Sequence, residues 1–505
     1  MRSKIKSIEE LGKISLALKN DGKKIVHCHG VFDLIHPGHI KHFQAARKFG
    51  DVLIVTITDD KHVNKGPGRP IFNEDMRAEN IAAITFVDYV AINFNLKAIP
   101  VLEIIQPNFY VKGQDYKVLS EDITGGIYEE KSKVEEFGGE LVFTEEIQFS
   151  SSKLINSHIK DDNSDIKPYL ENLRRITSYE KLKESFEQIS KLNVLVIGDI
   201  ILDEYQFVRT IGKASKSNAI TSKRLDSELY AGGILAIANH ISNFVNSVNL
   251  VSTYGNNFGT DYYDFISSKL NRNVKFSSVS TPDRPTVLKK RFVDNVFKSK
   301  LFEIIEIEDE PLSNEQKSQL IKEIDTGIYD IIVVGDFGHG LIDNEIAEHI
   351  INKKVFTSIN TQTNSANLGY NLITKYSHCD YFSIDENEAR LATHDRHSSI
   401  EQVFSKLIKL TKTNTAAITL GINGSITGSN GDLVNSPVLS HGIVDTIGAG
   451  DAFLSISSLL AKNGNSLDEI AFVGNAVGAI AVKILGNKSY IERTPLLKYL
   501  KTLLA

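Results

Sequence analysis

"HGVFDLIHPGH", residues His29–His39, follows the apolar run "KIVHC" (24–28) and opens into "HPGHIKHFQAARKFG" (36–50). A buried strand, a loop and a helix in that order form the basic step of a parallel α/β sheet. Pro37 suits the first helical position, where its missing N–H costs nothing. Residues three apart share a helix face, so His36 and His39 project together from a helix N-terminus. Gly38 leaves room for a ligand between them. The helix end offers N–H groups and positive dipole, an anion site. Two imidazoles there suit a triphosphate whose α-phosphorus is attacked, because they donate to oxygens that gain charge in the transition state. The bland alternative is a pair of ordinary surface or core histidines. A zinc pair fits less well, since helical zinc ligands usually sit four apart.

The rest of the chain repeats the same alternation. "DVLIVTITDD" (51–60), "VDYVAI" (87–92), "NFYVKG" (108–113) and "ELVFTEE" (140–146) read as strands, with helical periodicity between them. The polar segment 160–190 reads as a connector with one weakly amphipathic helix. A second strand run starts at "NVLVIGDIILDEY" (193–205) and recurs at "DIIVVGDF" (330–337), "CDYFSID" (379–385) and "AAITLG" (416–421). The expected organisation is therefore α/β throughout: an N-terminal domain over 1–159, a connector over 160–190 and a second domain over 191–505.

Bulk properties narrow the function. With 505 residues, the chain exceeds one ordinary core. A net charge of −6 carries no basic stripe for nucleic acid or an anionic membrane. The apolar runs are strand-sized, and the N-terminus lacks the apolar core of a signal peptide. Cys28 and Cys379, the only two cysteines, have no metal-type spacing, which predicts a reducing cytoplasm.

The segment from Lys24 to about His158 resembles the HxGH nucleotidyltransferases in "GDVLIVTITDD", "VNKGPGRPIFNEDMRAENIAAITFVDYV", "PNFYVKGQDY" and "FSSSKLINSHI". The resemblance implies a Rossmann-like fold. It implies that His36 and His39 stabilise the reacting phosphates and that Lys65 neutralises phosphate charge. Gly113 and Asp115 would line the nucleotide end. Ser150, Ser151 and Ser152 would present hydroxyls and helix N–H groups to the nucleotide, while Gly30, Phe32 and Asp33 would shape the first loop. The "VKGxDY" form is most similar to the heptose 1-phosphate adenylyltransferase branch, with glycerol-phosphate cytidylyltransferases as the nearest rivals. His29 stands where that heptose branch usually has Asn, at a position facing the phosphates.

A second site lies in "DTIGAGDAFLSI" (445–456). Gly448, Ala449 and Gly450 form a turn whose successive N–H groups make an anion nest, and a helix is expected to start near Asp451. A carboxylate at that point serves a different purpose from phosphate binding: it can take a proton from a sugar hydroxyl. The alternative is an Asp helix cap after a flexible loop. The segment from about Asn193 to the end resembles the ribokinase-like PfkB carbohydrate kinases. The resemblance implies an ATP site at Gly421, Gly424 and Asn475, and a magnesium-linked glutamate at Glu388, acting through water. It places Asp199, Asp203, Gly232 and Gly233 at the sugar. The sugar pocket departs from the heptose kinase pattern at Ala236, at His339 and at "SIN" (358–360).

Together the halves resemble the bifunctional enzymes of ADP-heptose synthesis in reversed order. That implies Mg²⁺, ATP for the kinase, and ATP or CTP for the transferase. The partners would be sugar phosphates and nucleoside triphosphates, in a homodimer that binds neither nucleic acid nor membrane. Two alternatives differ in class. One is a polyol-phosphate cytidylyltransferase with a partner kinase. The other is a transferase whose degenerate kinase half serves binding or dimerisation.

Overall fold

The structure is a computed structural model that describes residues 2–63, 69–113, 126–144, 166–295, 299–365, 367–440 and 443–505. It forms two compact units, Met1–Ser164 with Leu497–Ala505, and Asp165–Leu496.

In the first unit five parallel strands pair in the order β3-β2-β1-β4-β5: β1 is Ile25–Gly30, β2 Val52–Thr58, β3 Tyr89–Asn93, β4 Phe109–Gly113 and β5 Glu140–Thr144. The order reverses between β1 and β4, and the crevice outside their carboxyl ends is where open α/β sheets bind ligands. One face of β1 and β2 is apolar along its length, with Val26, Cys28, Leu53, Val55 and Ile57 packed around Phe43 and Ile81. The other face changes character along the strands. Ile25 and Ile54 pack with Leu11, Val101 and Ile105, whereas His27, His29, Thr56 and Thr58 continue the same face toward the carboxyl ends. A polar layer thus sits above an apolar one.

The second unit has a large sheet in the order β10-β9-β6-β14-β15-β16-β17-β18-β19, with β11 also on β9. Its central strands are β6 (Asn193–Gly198), β14 (Ile331–Asp336), β15 (Phe356–Thr361), β16 (Tyr381–Asp385) and β17 (Thr415–Thr419), all parallel. Antiparallel β18 (Ser425–Ser429) and β19 (Leu433–Ser436) close one edge. On the other side β9 (Ser247–Asn257) carries β10 (Thr260–Asp261) and β11 (Val274–Thr281). A four-stranded sheet stands apart, in the order β13-β12-β7-β8: Lys300–Glu306, Val287–Asp294, Ile200–Lys213 and Ile220–Gly233. The single strand expected over 193–205 is therefore two strands in two sheets, divided at Asp199. Helix Ala449–Lys462 is buried over nearly its whole length, and helices Ile234–Ser242 and Leu467–Ala481 pack on it.

Residues 166–190 differ from the expected connector. They form helices Ile166–Ile176 and Tyr179–Ile189, which belong to the second unit. Leu170, Leu173, Leu182, Phe186 and Ile189 are buried. The Thr177 hydroxyl donates to Glu469 at 2.7 Å, and Asn465 donates to the Ser185 hydroxyl at 2.8 Å. Charged residues on the outer faces conceal two apolar stripes of helical period.

Two candidate functional sites

The first site stands at the carboxyl end of β1. Helix Pro37–Ala46 begins with Pro37 at its first position and His36 as N-cap, so His39 falls in the first turn. The two imidazoles stack with centroids 3.8 Å apart and planes 19° from parallel. Phe32, held at φ +47°, meets the His39 ring edge-on at 5.3 Å and packs against Phe43 at 5.0 Å. Gly30 sits beneath the Phe32 ring, where a Cβ would lie 3.0 Å from it. Gly113 ends β4 with open space around its α-carbon. Gly38 lies in the first turn of the helix. Lys65, Asp115, Ser150, Ser151 and Ser152 lie outside the described residues.

Asp33 does not line this site with an open carboxylate. It is buried, takes Nε of Arg69 at 2.5 Å, and accepts from the backbone N–H groups of Ile71 and Phe72 at 2.8 and 3.2 Å. It holds the loop in shape, as a buried carboxylate must when its charge is paired. Lys112, which sequence reasoning passed over, reaches the site from β4. Its ammonium pairs with Glu130 at 2.9 Å, and Glu130 also accepts from the Tyr110 hydroxyl at 3.1 Å.

The second site gathers around Asp451. Its helix starts at Ala449, two residues earlier than expected, with Gly448 as N-cap at φ +80°. A side chain at Gly448 would be strained at that φ and would also meet Asn487 Oδ1 at 2.6 Å. Asp451 is not a capping side chain: it is buried and accepts from Gln362 Nε2 at 2.7 Å. Burial pushes its pKa up to about 7. The Gln362 hydrogen bond opposes this, the Asp203 charge adds to it, and Lys289 opposes it. Gly450 is open to solvent at the same turn, so its first-turn N–H groups face an accessible space.

Asp203 joins this cluster. Its carboxylate pairs with Arg291 and accepts from Asn487 Nδ2 at 3.2 Å. Gly232 makes room for it, since a Cβ there would come within 2.2 Å of Asp203 Oδ2. Gly233 follows at φ +55° and caps helix Ile234–Ser242. Register places Lys289 of β12 beside Asp203 of β7. Gln362, Asn487, Lys289 and Arg291 carried no motif signal; strands and loops far apart in the chain bring them here.

Asp199, also expected at the sugar, contacts backbone groups. It is buried and accepts from the N–H groups of Phe337, His339 and Leu341 at 3.2, 3.4 and 3.3 Å, so it organises the 337–341 loop. Burial and the nearby Asp336 raise its pKa to about 6. Two of the sequence departures also turn inward. The Ser358 hydroxyl bonds Ser458 at 2.6 Å, and Asn360 donates to the Ser383 carbonyl at 2.7 Å. Ala236 is fully buried in its helix. His339 is buried, and its ring nitrogens meet no hydrogen-bond partner among the described residues.

Asn475 donates to the Ser425 hydroxyl at 2.8 Å and to the Ser436 carbonyl at 3.3 Å. Gly424 lies against the same carbonyl at φ +87°, and Gly421 turns at φ +57°. The three expected nucleotide residues of this unit therefore border one place. Glu388 fits a metal less directly. It completes a capping box with Asp385, and its oxygens accept from the N–H groups of Asp385 at 2.8 Å and Thr363 at 3.1 Å. Burial, with the Asp385 charge, raises its pKa to about 8. Among the described residues no group of three carboxylate, histidine or cysteine side chains forms a cation cage.

Comparisons with known proteins agree with this division. The cytidylyltransferase-like family matches residues 27–157. The bifunctional protein HldE of Aliarcobacter butzleri (strain RM4018) is 40% identical over 137 residues, 27% of this chain and 28% of that protein. HldE of Campylobacter jejuni subsp. jejuni serotype O:6 (strain 81116 / NCTC 11828) is 42% identical over 163 residues, 31% of this chain and 32% of that protein. The match thus spans less than a third of these relatives' length. Phosphofructokinase-2 from Escherichia coli, solved in complex with substrates and products, aligns with a TM-score of 0.50 at 14% identity. That alignment covers 62% of this chain and 99% of that one, a likeness of fold. The pfkB family carbohydrate kinase description matches residues 191–492, more than half of the sequence, and the chain belongs to that family.

Proposed function

We propose that the chain is a bifunctional enzyme of nucleotide-sugar synthesis, which phosphorylates a sugar phosphate, such as a heptose phosphate, and transfers AMP or CMP to a sugar 1-phosphate. The observation that carries this reading is the pairing, in one chain, of the stacked His36–His39 helix end with the buried Asp451 beside a glycine turn. In the kinase step Asp451 takes the proton from a sugar hydroxyl as that oxygen attacks the γ-phosphorus, and ADP leaves. The Gly448–Gly450 turn receives the transferring phosphoryl oxygens. Asp203, held by Arg291 and Asn487, orients the sugar, and Asn475, Gly421 and Gly424 border the nucleotide.

In the transferase step a phosphate oxygen of the sugar 1-phosphate attacks the α-phosphorus, and pyrophosphate leaves. His36 and His39 donate to the oxygens that gain charge, and Lys65 adds its charge. Gly30, Phe32 and Gly38 shape the phosphate loop behind Asp33. Gly113, Asp115, Ser150, Ser151 and Ser152 take the nucleotide. In the kinase unit Glu388 would hold Mg²⁺ through water, and the ion would offset phosphate charge there.

An active kinase is favoured over a degenerate one by the buried Asp451, held by Gln362 beside the Gly448–Gly450 turn, and the departures at Ala236, His339 and Ser358–Asn360 bear on which sugar is accepted. A cytoplasmic homodimer belongs to the same proposal. Ile211, Ile220, Leu301, Phe302 and Ile304 leave an exposed apolar surface on the four-stranded sheet, and light scattering tests it. The deciding experiment incubates the pure protein with ATP or CTP and a panel of sugar phosphates, and reads products by mass. A bisphosphate and a nucleotide sugar are expected; neither product from any pair overturns the proposal.

A further inference from the structure

Gln362 is the first residue after β15, at the carboxyl edge of the large sheet. Its backbone is fastened on both sides. The Gln362 N–H donates to the Asp336 carbonyl at 2.9 Å, and its own carbonyl accepts from Asn371 Nδ2 at 3.2 Å. Asn371 also donates to the Asp336 carbonyl at 2.9 Å. The buried Asp336 carboxylate in turn takes the Tyr376 hydroxyl at 2.8 Å and pairs with the Lys375 ammonium. The next residue, Thr363, donates its N–H to Glu388 at 3.1 Å. A side chain that leaves so fixed a backbone has little conformational freedom left to lose when it makes a contact.

The Gln362 side chain meets Asp451, with Nε2 2.7 Å from Oδ1. An ionised carboxylate has no proton to offer, so only the N–H end of the amide can face it. The two carboxylate oxygens therefore differ. Oδ1 has its donor. Oδ2 takes no hydrogen bond among the described residues, and it is not sealed from solvent. The terminal torsion of an aspartate is broad and roughly two-fold, so an untied carboxylate presents either oxygen. One whose Oδ1 is held presents Oδ2.

We propose that Gln362 is a positioning residue of the kinase step: by holding Oδ1 it makes Oδ2 the oxygen of Asp451 that takes the sugar proton. The proposal rests on the kinase reading of this unit. As the sugar oxygen bonds to the γ-phosphorus, its proton passes to Oδ2, and the bond to ADP breaks with its electron pair leaving on ADP. Other charges also act on Asp451: Asp203 on β7, Lys289 on β12, and Glu388 on helix Glu386–Thr393. Burial raises the Asp451 pKa to about 7, and the Gln362 bond is the strongest influence against it. Acidity and position are separable. Loss of the donor raises the pKa and moves the acid limb of the rate profile to higher pH. Loss of position lowers the plateau above that limb, where the base is fully ionised; a change in acidity alone leaves the plateau standing.

The test is the pH profile of sugar phosphorylation by the full chain, wild type against Gln362→Met, with ATP and a heptose phosphate or whichever panel sugar phosphate gives most product. Thermal melts confirm that each variant folds. In Gln362→Met the acid limb should move up by about one pH unit, the scale of one hydrogen bond to a charged group. Plateau kcat should fall about tenfold on the same scale, with KM for ATP little changed. Glu388 meets this loop through the Thr363 N–H, which a side-chain change at 362 leaves in place. Gln362→Lys keeps a donor and adds a charge. Its limb should move to lower pH, and its plateau should stay within about threefold of wild type; it decides the matter if Gln362→Met does not fold. A wild-type plateau in folded Gln362→Met overturns the proposal. So does a lowered plateau with an unmoved limb, because the loss then arises away from Asp451, and so does an upward shift in Gln362→Lys. If the wild type phosphorylates no sugar, the kinase reading falls and this assignment with it, whereas an active wild type with any of those three results overturns this proposal alone.

Discussion

Gln362 donates its side-chain N–H to Asp451 Oδ1 at 2.7 Å, from a loop nearly ninety residues upstream. The amide steadies a carboxylate whose pKa is nevertheless raised to about 7 by burial. A base must be deprotonated to accept a proton. Kinase kcat/KM should therefore climb with pH up to about 7 and level off above it. Asp451→Asn should lower turnover by roughly 10²–10⁴ and leave ATP affinity and nucleotidyl transfer intact. Equal turnover in variant and wild type would reduce Asp451 to a structural group.

The same shift makes a stability claim. The folded protein holds the Asp451 proton more tightly than the unfolded chain, so the native state binds more protons between about pH 4 and 7. Stability from this group is thus greatest in acid, falls as pH rises through the folded pKa, and stays low above it. Asp451→Asn removes that loss. The variant should resemble wild type near pH 4 and exceed it at pH 8 by up to about 4 kcal/mol. Calorimetry of the kinase transition at both pH values checks it, and a destabilised variant at pH 8 would contradict it.

Single replacement of His36 or His39 by Ala should reduce nucleotidyl transfer by roughly 10²–10³, the scale for losing one transition-state donor. Kinase activity should not change. Near-normal transfer by both variants would return the stacked pair to a packing role.

Gly232→Ala places a methyl group 2.2 Å from Asp203 Oδ2. Asp203 must then move, and its contacts with Arg291 and Asn487 move with it. A rise in KM for the sugar of at least about tenfold is expected, as for a weakened charged hydrogen bond, with nucleotidyl transfer unaffected. An unchanged sugar KM would show that Asp203 does not touch the sugar.

A fragment that starts at 166 should fold and retain kinase activity. One that starts at 191 should not, because it lacks Leu182, Phe186 and Ile189 and strips Glu469 of Thr177 and Lys181. Circular dichroism and thermal melts compare the two. Equal stability would mean that the helices are dispensable.

Features governed by neighbouring residues were readable from the sequence. Pro37 and the His36–His39 spacing fix a helix start, and Gly448 at φ +80° fixes a turn, so both sites announced themselves. What depends on chain crossing was not readable. Lys289 meets Asp203 only through the pairing of β12 with β7, and Asn487 arrives from a loop with no signature. The direction of a polar side chain was equally hidden. Asp199 and Asn360 stand where a motif suggests contact with substrate, but each satisfies backbone groups within the protein. The Ile166–Ile176 and Tyr179–Ile189 helices were masked by composition, since three or four apolar residues per helix sufficed to bury one face.

The grip of Asp199 on the 337–341 loop has an evolutionary consequence. It fastens the loop by the N–H groups of Phe337, His339 and Leu341, and every residue except proline supplies an N–H. The His339 side chain takes no part in that fastening, so it can change over generations without unfastening the loop. On the proposed kinase reading, a lineage can thus try new groups at position 339 against new sugars while inheriting the same mount, so that change in what the pocket accepts is decoupled from risk to the fold.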